Sequence, residues 1–136
     1  MALWPRVQHD SDDMNIENEL YLALGYCGFM LLLFLIFRAF PPKKINHLYG
    51  YRTTRSMAND LVWRDANDYS MKLGVQLGIW SMFLPLFFYF IWPEQLLLAT
   101  VITHTALLLF IVVGTERYLD KHYDKKGQPK NPTPKD

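Results

Sequence analysis

Aromatic rings, arginines and amides crowd into one short stretch of this 136-residue chain. Tyr49, Gly50, Tyr51, Arg52 and Thr53 are followed by Arg55, Ser56 and Met57, then by Asn59, Trp63, Ala66 and Asn67. Arginine forks bind phosphate or carboxylate and also stack on aromatic rings. The stretch therefore reads in one of two ways. It is a pocket or docking surface for lipid headgroups or an anionic peptide, or it is a membrane-interface belt of Trp, Tyr and basic residues. The other chemistry-bearing residues stand alone. His104 sits between Thr103 and Thr105 in the middle of an apolar run. An ionisable group there suits a proton-linked or ligand-binding site, or a neutral imidazole bonded to Ser81 or Gln76 of a neighbouring helix. Cys27 is the single cysteine, which excludes a disulfide scaffold and reads as a small buried hydrophobe. Glu116 and Arg117 either pair with charges of the aromatic-rich stretch or end a helix in solvent. The chain has no HExxH, CxxC, P-loop, GxSxG or GxGxxG motif, and no spacing ties His47 to Asp60 as an acid–base pair. The reading is non-enzymatic, with no catalytic residue, no metal and no cofactor.

The elements that hold these residues follow from where charge is missing. Half of the chain (51%) is apolar and 20% is charged. Asp, Glu, Lys and Arg are absent from residues 20–37, 73–92 and 95–115. As helices these windows measure roughly 27–32 Å, close to the roughly 30 Å of a bilayer core. A soluble protein of this size needs helices with a wet face, and these windows have none. The expected fold class is all-α, a three-transmembrane-helix membrane protein with a cytoplasmic interfacial helix between spans 1 and 2. Residues 1–19 read as a polar, acidic N-terminal segment, in which 1–13 stand ahead of a second methionine, Met14, as an upstream start or non-native leader. Span 1 covers 20–40, with Arg38 snorkelling and Pro41-Pro42 stopping the helix. Residues 41–72 form a connector. Its first half is irregular with a turn at Gly50. Its second half is an amphipathic helix capped by Ser56 or Asn59, with Trp63, Ala66, Ser70 and Leu73 on one face and Arg64, Asn67, Asp68 and Met71 on others. Span 2 covers 73–92 and bends at Pro85, and its Gly74 and Gly78 form a GxxxG packing face. Pro93-Glu94 leaves room only for a tight turn into span 3, residues 95–115. The tail, 116–136, extends the third helix and then loses structure towards its end.

Lys and Arg number six in the connector and six in the tail, against one in the N-terminal segment and none at Pro93-Glu94. The positive-inside rule puts connector and tail in the cytoplasm, with the N-terminus outside. Net charge is +1, without a basic stripe, so nucleic acid is not an expected partner.

The run from Asn46 to Thr53, with Ser56, Met57, Asn59, Trp63, Ala66 and Asn67, resembles the cytoplasmic segment of the SdpI-type membrane proteins. These are named for a bacterial immunity protein that protects cells from a sporulation-delaying toxin. Thr115-Glu116-Arg117, Tyr123, Asp124 and Gly127 also resemble that family's ending. The resemblance spans about residues 40–130. It implies a short multi-pass helical protein of the bacterial inner membrane, with Gly50, Arg52, Thr53, Trp63 and Asn67 as signature positions. The immunity protein itself is longer and has more spans, whereas this chain sets one signature unit on three.

Three functions are expectations. The first is toxin immunity or envelope protection through the Tyr49, Gly50, Arg52, Thr53, Arg55, Trp63 and Asn67 surface. The second is service as an accessory subunit of a larger membrane complex. The third is an oligomeric small transporter using His104. A three-span bundle exposes much apolar surface, so beyond the lipid bilayer a membrane-protein partner or a second copy of the chain is expected.

Overall fold

A computed structural model describes the backbone of residues 4–130 and the side chains of 14–130. The leader reading of residues 1–13 therefore concerns side chains outside the described residues, as does the tail's last stretch, 131–136. Four α-helices make up most of the described chain: α1 (Trp4–Ala39), α2 (Asp60–Ser81), α3 (Leu84–Ile91) and α4 (Leu96–His122). No β-strand occurs among the described residues. Three segments are long and apolar enough to cross a membrane: Met14–Ala39, Asp60–Ile91 and Pro93–His122, with mean hydropathies of 2.3, 1.6 and 2.5. The chain is a multi-pass, all-helical membrane protein.

Each break between helices has a local cause. Pro41 and Pro42 stop α1, and the Phe40 amide makes the last turn's bond to Ile36. The second span bends as its proline requires. Pro85 has no amide hydrogen for the Ser81 carbonyl, so α2 ends at Ser81 and α3 begins at Leu84. Met82 and Phe83 tighten the gap with bonds to Ile79 and Trp80. A single 3-10 turn at Pro93–Gln95 then reverses the chain into α4. Gln95 caps nothing with its side chain. Instead the Leu97 amide donates to the Glu19 carboxylate of α1 at 3.3 Å, which suits a helix N-terminus.

The amphipathic helix expected ahead of span 2 forms the first part of α2, which runs on from Asp60 to Ser81. Leu61, Arg64, Asp68 and Lys72 form its exposed stripe, and the buried face is wider than the periodicity suggests. Asn67 and Met71 are buried along with Trp63, Ala66 and Ser70, because α1 packs on one side of α2 and α4 on the other. Gly74 and Gly78 let α1 approach: a Cβ at Gly74 would stand 2.5 Å from the Phe34 ring, and one at Gly78 would stand 3.0 Å from Leu31 Cδ1. The apolar core lies towards the connector end. It joins Tyr51, Val62, Ala66, Leu119 and Tyr123, with Tyr118 packed on its edge.

Candidate functional site

The connector folds into a cap over the ends of α2 and α4. Asn59 starts it from the helix side: its side-chain oxygen accepts the Leu61 and Val62 amides, both at 3.0 Å. That is the N-cap role, and of the two expected caps it is Asn59 that takes it. Its amide nitrogen donates to the Gly127 carbonyl at 2.9 Å. One residue thus ties the start of α2 to the tail. The tail itself turns back: the Asp124 carboxylate accepts the Lys126 and Gln128 amides at 2.8 Å, Gly127 takes φ +76°, and the Lys130 amide reaches the His122 carbonyl at 2.8 Å. Those bonds hold the Asp124 carboxyl below its ordinary pKa, the Gln128 amide most of all.

Several residues of the aromatic-rich stretch meet at one place, with Tyr51, Ser56, Trp63 and Asn67 buried. Trp63 is fully buried and its indole donates to the Pro42 carbonyl at 3.1 Å. Asn67, 1% exposed, accepts the Tyr51 amide at 2.6 Å and donates to the Trp63 carbonyl at 2.8 Å. Gly50 passes over Asn67 with φ +108°. Thr53 and Ser56 close the following turn by bonding each other's backbone amides, at 3.1 and 2.9 Å. Arg55 sits at the C-terminus of α4, bonded to the Leu119 and Tyr123 carbonyls at 3.3 and 3.0 Å and paired with Asp120. A cation is favoured there by the helix dipole and the unpaired last carbonyls.

Glu116 is the acceptor at the centre of the cap. Its Oε1 takes hydroxyl bonds from both Tyr51 and Thr53, each 2.8 Å. The expected pairing of Glu116 with connector arginines or aspartates is not what forms; two neutral hydroxyls reach it first. A second tyrosine–carboxylate bond joins Tyr123 to Asp65. Burial, then the bonded carboxylate, pushes both tyrosines above their ordinary pKa, so both stay hydroxyl donors.

The exposed part of the cap is the loop before Gly50. Asn46 accepts the Leu48 and Tyr49 amides at 3.0 and 3.1 Å and donates to the Lys44 carbonyl at 3.1 Å. Tyr49 stacks on Phe37, ring centroids 5.8 Å apart, and Arg52 bonds the His47 carbonyl. This bracing leaves Leu48 88% exposed between His47 and Arg52. Leu48 was legible only as one member of the run. The remaining candidate, His104, is 1% exposed, but its partners lie on α1 rather than being Ser81 or Gln76. Its Nδ1 is 3.9 Å from Cys27 Sγ, and its ring meets Tyr26 edge-on at 5.1 Å. The facing helix is α1 at that depth, which the apolar pattern could not specify.

The model of the SdpI/YfhL protein family matches residues 43–115. The chain belongs to that family. The match covers the connector from Lys43 and the two following spans, while α1, Phe40–Pro42 and the tail beyond Thr115 lie outside it. A family relative from Bacillus subtilis (strain 168), described as uncharacterized protein YfhL, is 44% identical over 52 residues, 38% of this chain and 47% of that protein. The chain thus matches about half the length of this curated relative. No solved structure matches.

Proposed function

We propose that this family member is a non-enzymatic protein of the bacterial inner membrane that confers immunity to a membrane-active toxin or protects the envelope. In this reading the N-terminus and the Pro93 turn face outward, and the cap works from the cytoplasm. The observation that carries it is the braced loop at 46–52. An apolar side chain held 88% exposed on a loop fixed by five hydrogen-bonding and stacking contacts is the form of a recognition knob, with Arg52 beside it for an anionic group. The working surface is accordingly Leu48, Tyr49 and Arg52. Gly50, Thr53, Arg55, Trp63 and Asn67 act by holding it.

The test is a survival assay in cells exposed to the toxin, with insertion checked by membrane fractionation. Leu48→Asp and Arg52→Ala should each remove protection while the protein still inserts at normal levels. Full protection by both variants overturns the reading.

The accessory-subunit reading shares this surface and draws on the thin bundle. Only 11%, 28% and 22% of the three apolar windows is buried within the protein. It gains if the same two variants drop out of a complex that co-purifies in mild detergent.

A further inference from the structure

Beside the cap, on the flank where α1 ends, lies a cleft of about 370 Å³ lined by Pro41, Pro42, Lys43, Arg64, Asn67 and Asp68. We infer that this cleft binds a phosphate group, that of an anionic lipid headgroup. The inference needs only the membrane placement and stands apart from any immunity role.

Charge comes first. Asp68 is the only carboxylate in the lining, and Lys72 answers it at 2.6 Å. Arg64 uses only Nε, at 3.4 Å from the Asp60 carbonyl, so its terminal nitrogens are uncommitted among the described residues. Lys43 has no ion-pair partner there either. The lining thus carries two cations against one carboxylate, and that carboxylate is already paired with Lys72. An arginine fork and an ammonium in one lining suit a phosphate's oxygens.

Depth comes second. The charge-free part of α2 begins at Leu73. Asp68 lies about 7 Å beyond it along the helix axis, within or at the edge of the headgroup band, roughly 5–8 Å deep on each side of the core. Lys43 follows the end of α1 by four residues. Pro41 and Pro42 add an apolar part to the lining.

Rigidity comes third. Pro42 is buried and its carbonyl is fixed by the buried Trp63 indole, and Asn67 is committed on both side-chain atoms. The floor of the cleft is thus set before any ligand arrives.

The probe is native mass spectrometry of the full chain in detergent with phosphatidylglycerol or phosphatidylcholine. Phosphatidylglycerol should be retained in preference. Lys43→Ser with Arg64→Ser should weaken its retention by about thirtyfold, on the order of one surface-cation contribution each. Lys125→Ser with Lys126→Ser, which removes equal charge from the tail, should leave it within about twofold. Lys43 and Arg64 are exposed, and an unchanged melting temperature of the double variant confirms its fold. Inorganic phosphate tests the other source: if it stabilises the wild type but not the double variant while neither lipid is retained, the site holds and its ligand is a free anion. Equal retention of the two lipids with no phosphate effect, or undiminished phosphatidylglycerol binding by the double variant, overturns the inference.

Discussion

Gly50 crosses so closely over Asn67 that a Cβ on Gly50 would stand 2.4 Å from Asn67 Oδ1, the same oxygen that accepts the Tyr51 amide at 2.6 Å. Two demands meet at Gly50, a left-handed φ of +108° and the absence of a side chain. Gly50→Ala should destabilise the cap by about 3 kcal/mol, combining backbone strain with the clash. Denaturation by SDS in dodecyl maltoside micelles would measure this. Proteolysis within 43–59 should speed up while the spans stay protected.

Glu116 holds two hydroxyls. Glu116→Ala strands Tyr51 and Thr53 and should cost about 2 kcal/mol in the same titration. Glu116→Gln keeps an acceptor and should cost about half as much. If the two variants behave alike, the carboxylate is not the organising acceptor of the cap.

Alkaline titration offers a separate reading of the same contacts. The folded-state pKa values of Tyr51 and Tyr123 are raised. Their contribution is complete below the unfolded value near 10 and is lost as pH rises through the folded values. These two should ionise above the ordinary tyrosine range when tyrosinate absorbance is followed. Phenylalanine at both positions should remove that late fraction. The tail turn behaves in the opposite sense: the Asp124 pKa is lowered, so its contribution is present above the ordinary carboxylate range and fades as pH falls through the folded value.

The α1–α2 contact depends on small residues. Gly74→Leu should cost about 1–3 kcal/mol because the Phe34 ring occupies the space. Combining it with Phe34→Ala should recover at least about 1 kcal/mol, read as the coupling term of a double-mutant cycle.

His104→Leu replaces a buried ring with an apolar side chain among Cys27, Tyr26 and lipid-facing helices. It should lower stability by less than about 1.5 kcal/mol and leave protection in the toxin assay unchanged. A large loss of function in a well-inserted variant would favour the transporter reading.

Three spans, the bend at Pro85, the tight turn at Pro93 and, as one of two candidates, the cap at Asn59 were legible in the order of residues. Each is a local matter: absent charge over twenty residues, a missing amide hydrogen, a side-chain oxygen two or three residues from the donors it serves. The width of the buried face on the helix between the first two spans was not. Its polar face holds Asn67, and a periodic pattern counts an amide as wet unless it shows where the partner is. That partner is the Tyr51 backbone, sixteen residues back. The same blindness applied to Arg55, read as a binding group but engaged by the end of α4.

Charge-free length by itself determined that this chain crosses a membrane, because hydrocarbon excludes unpaired charge whatever the packing. Only tertiary structure decided which polar residues of the connector face inward and which face out. Tyr51 meets Glu116 across 65 positions and Asn59 meets Gly127 across 68. A hydrogen bond is satisfied by proximity in space, and no spacing along the chain records which distant group will supply it.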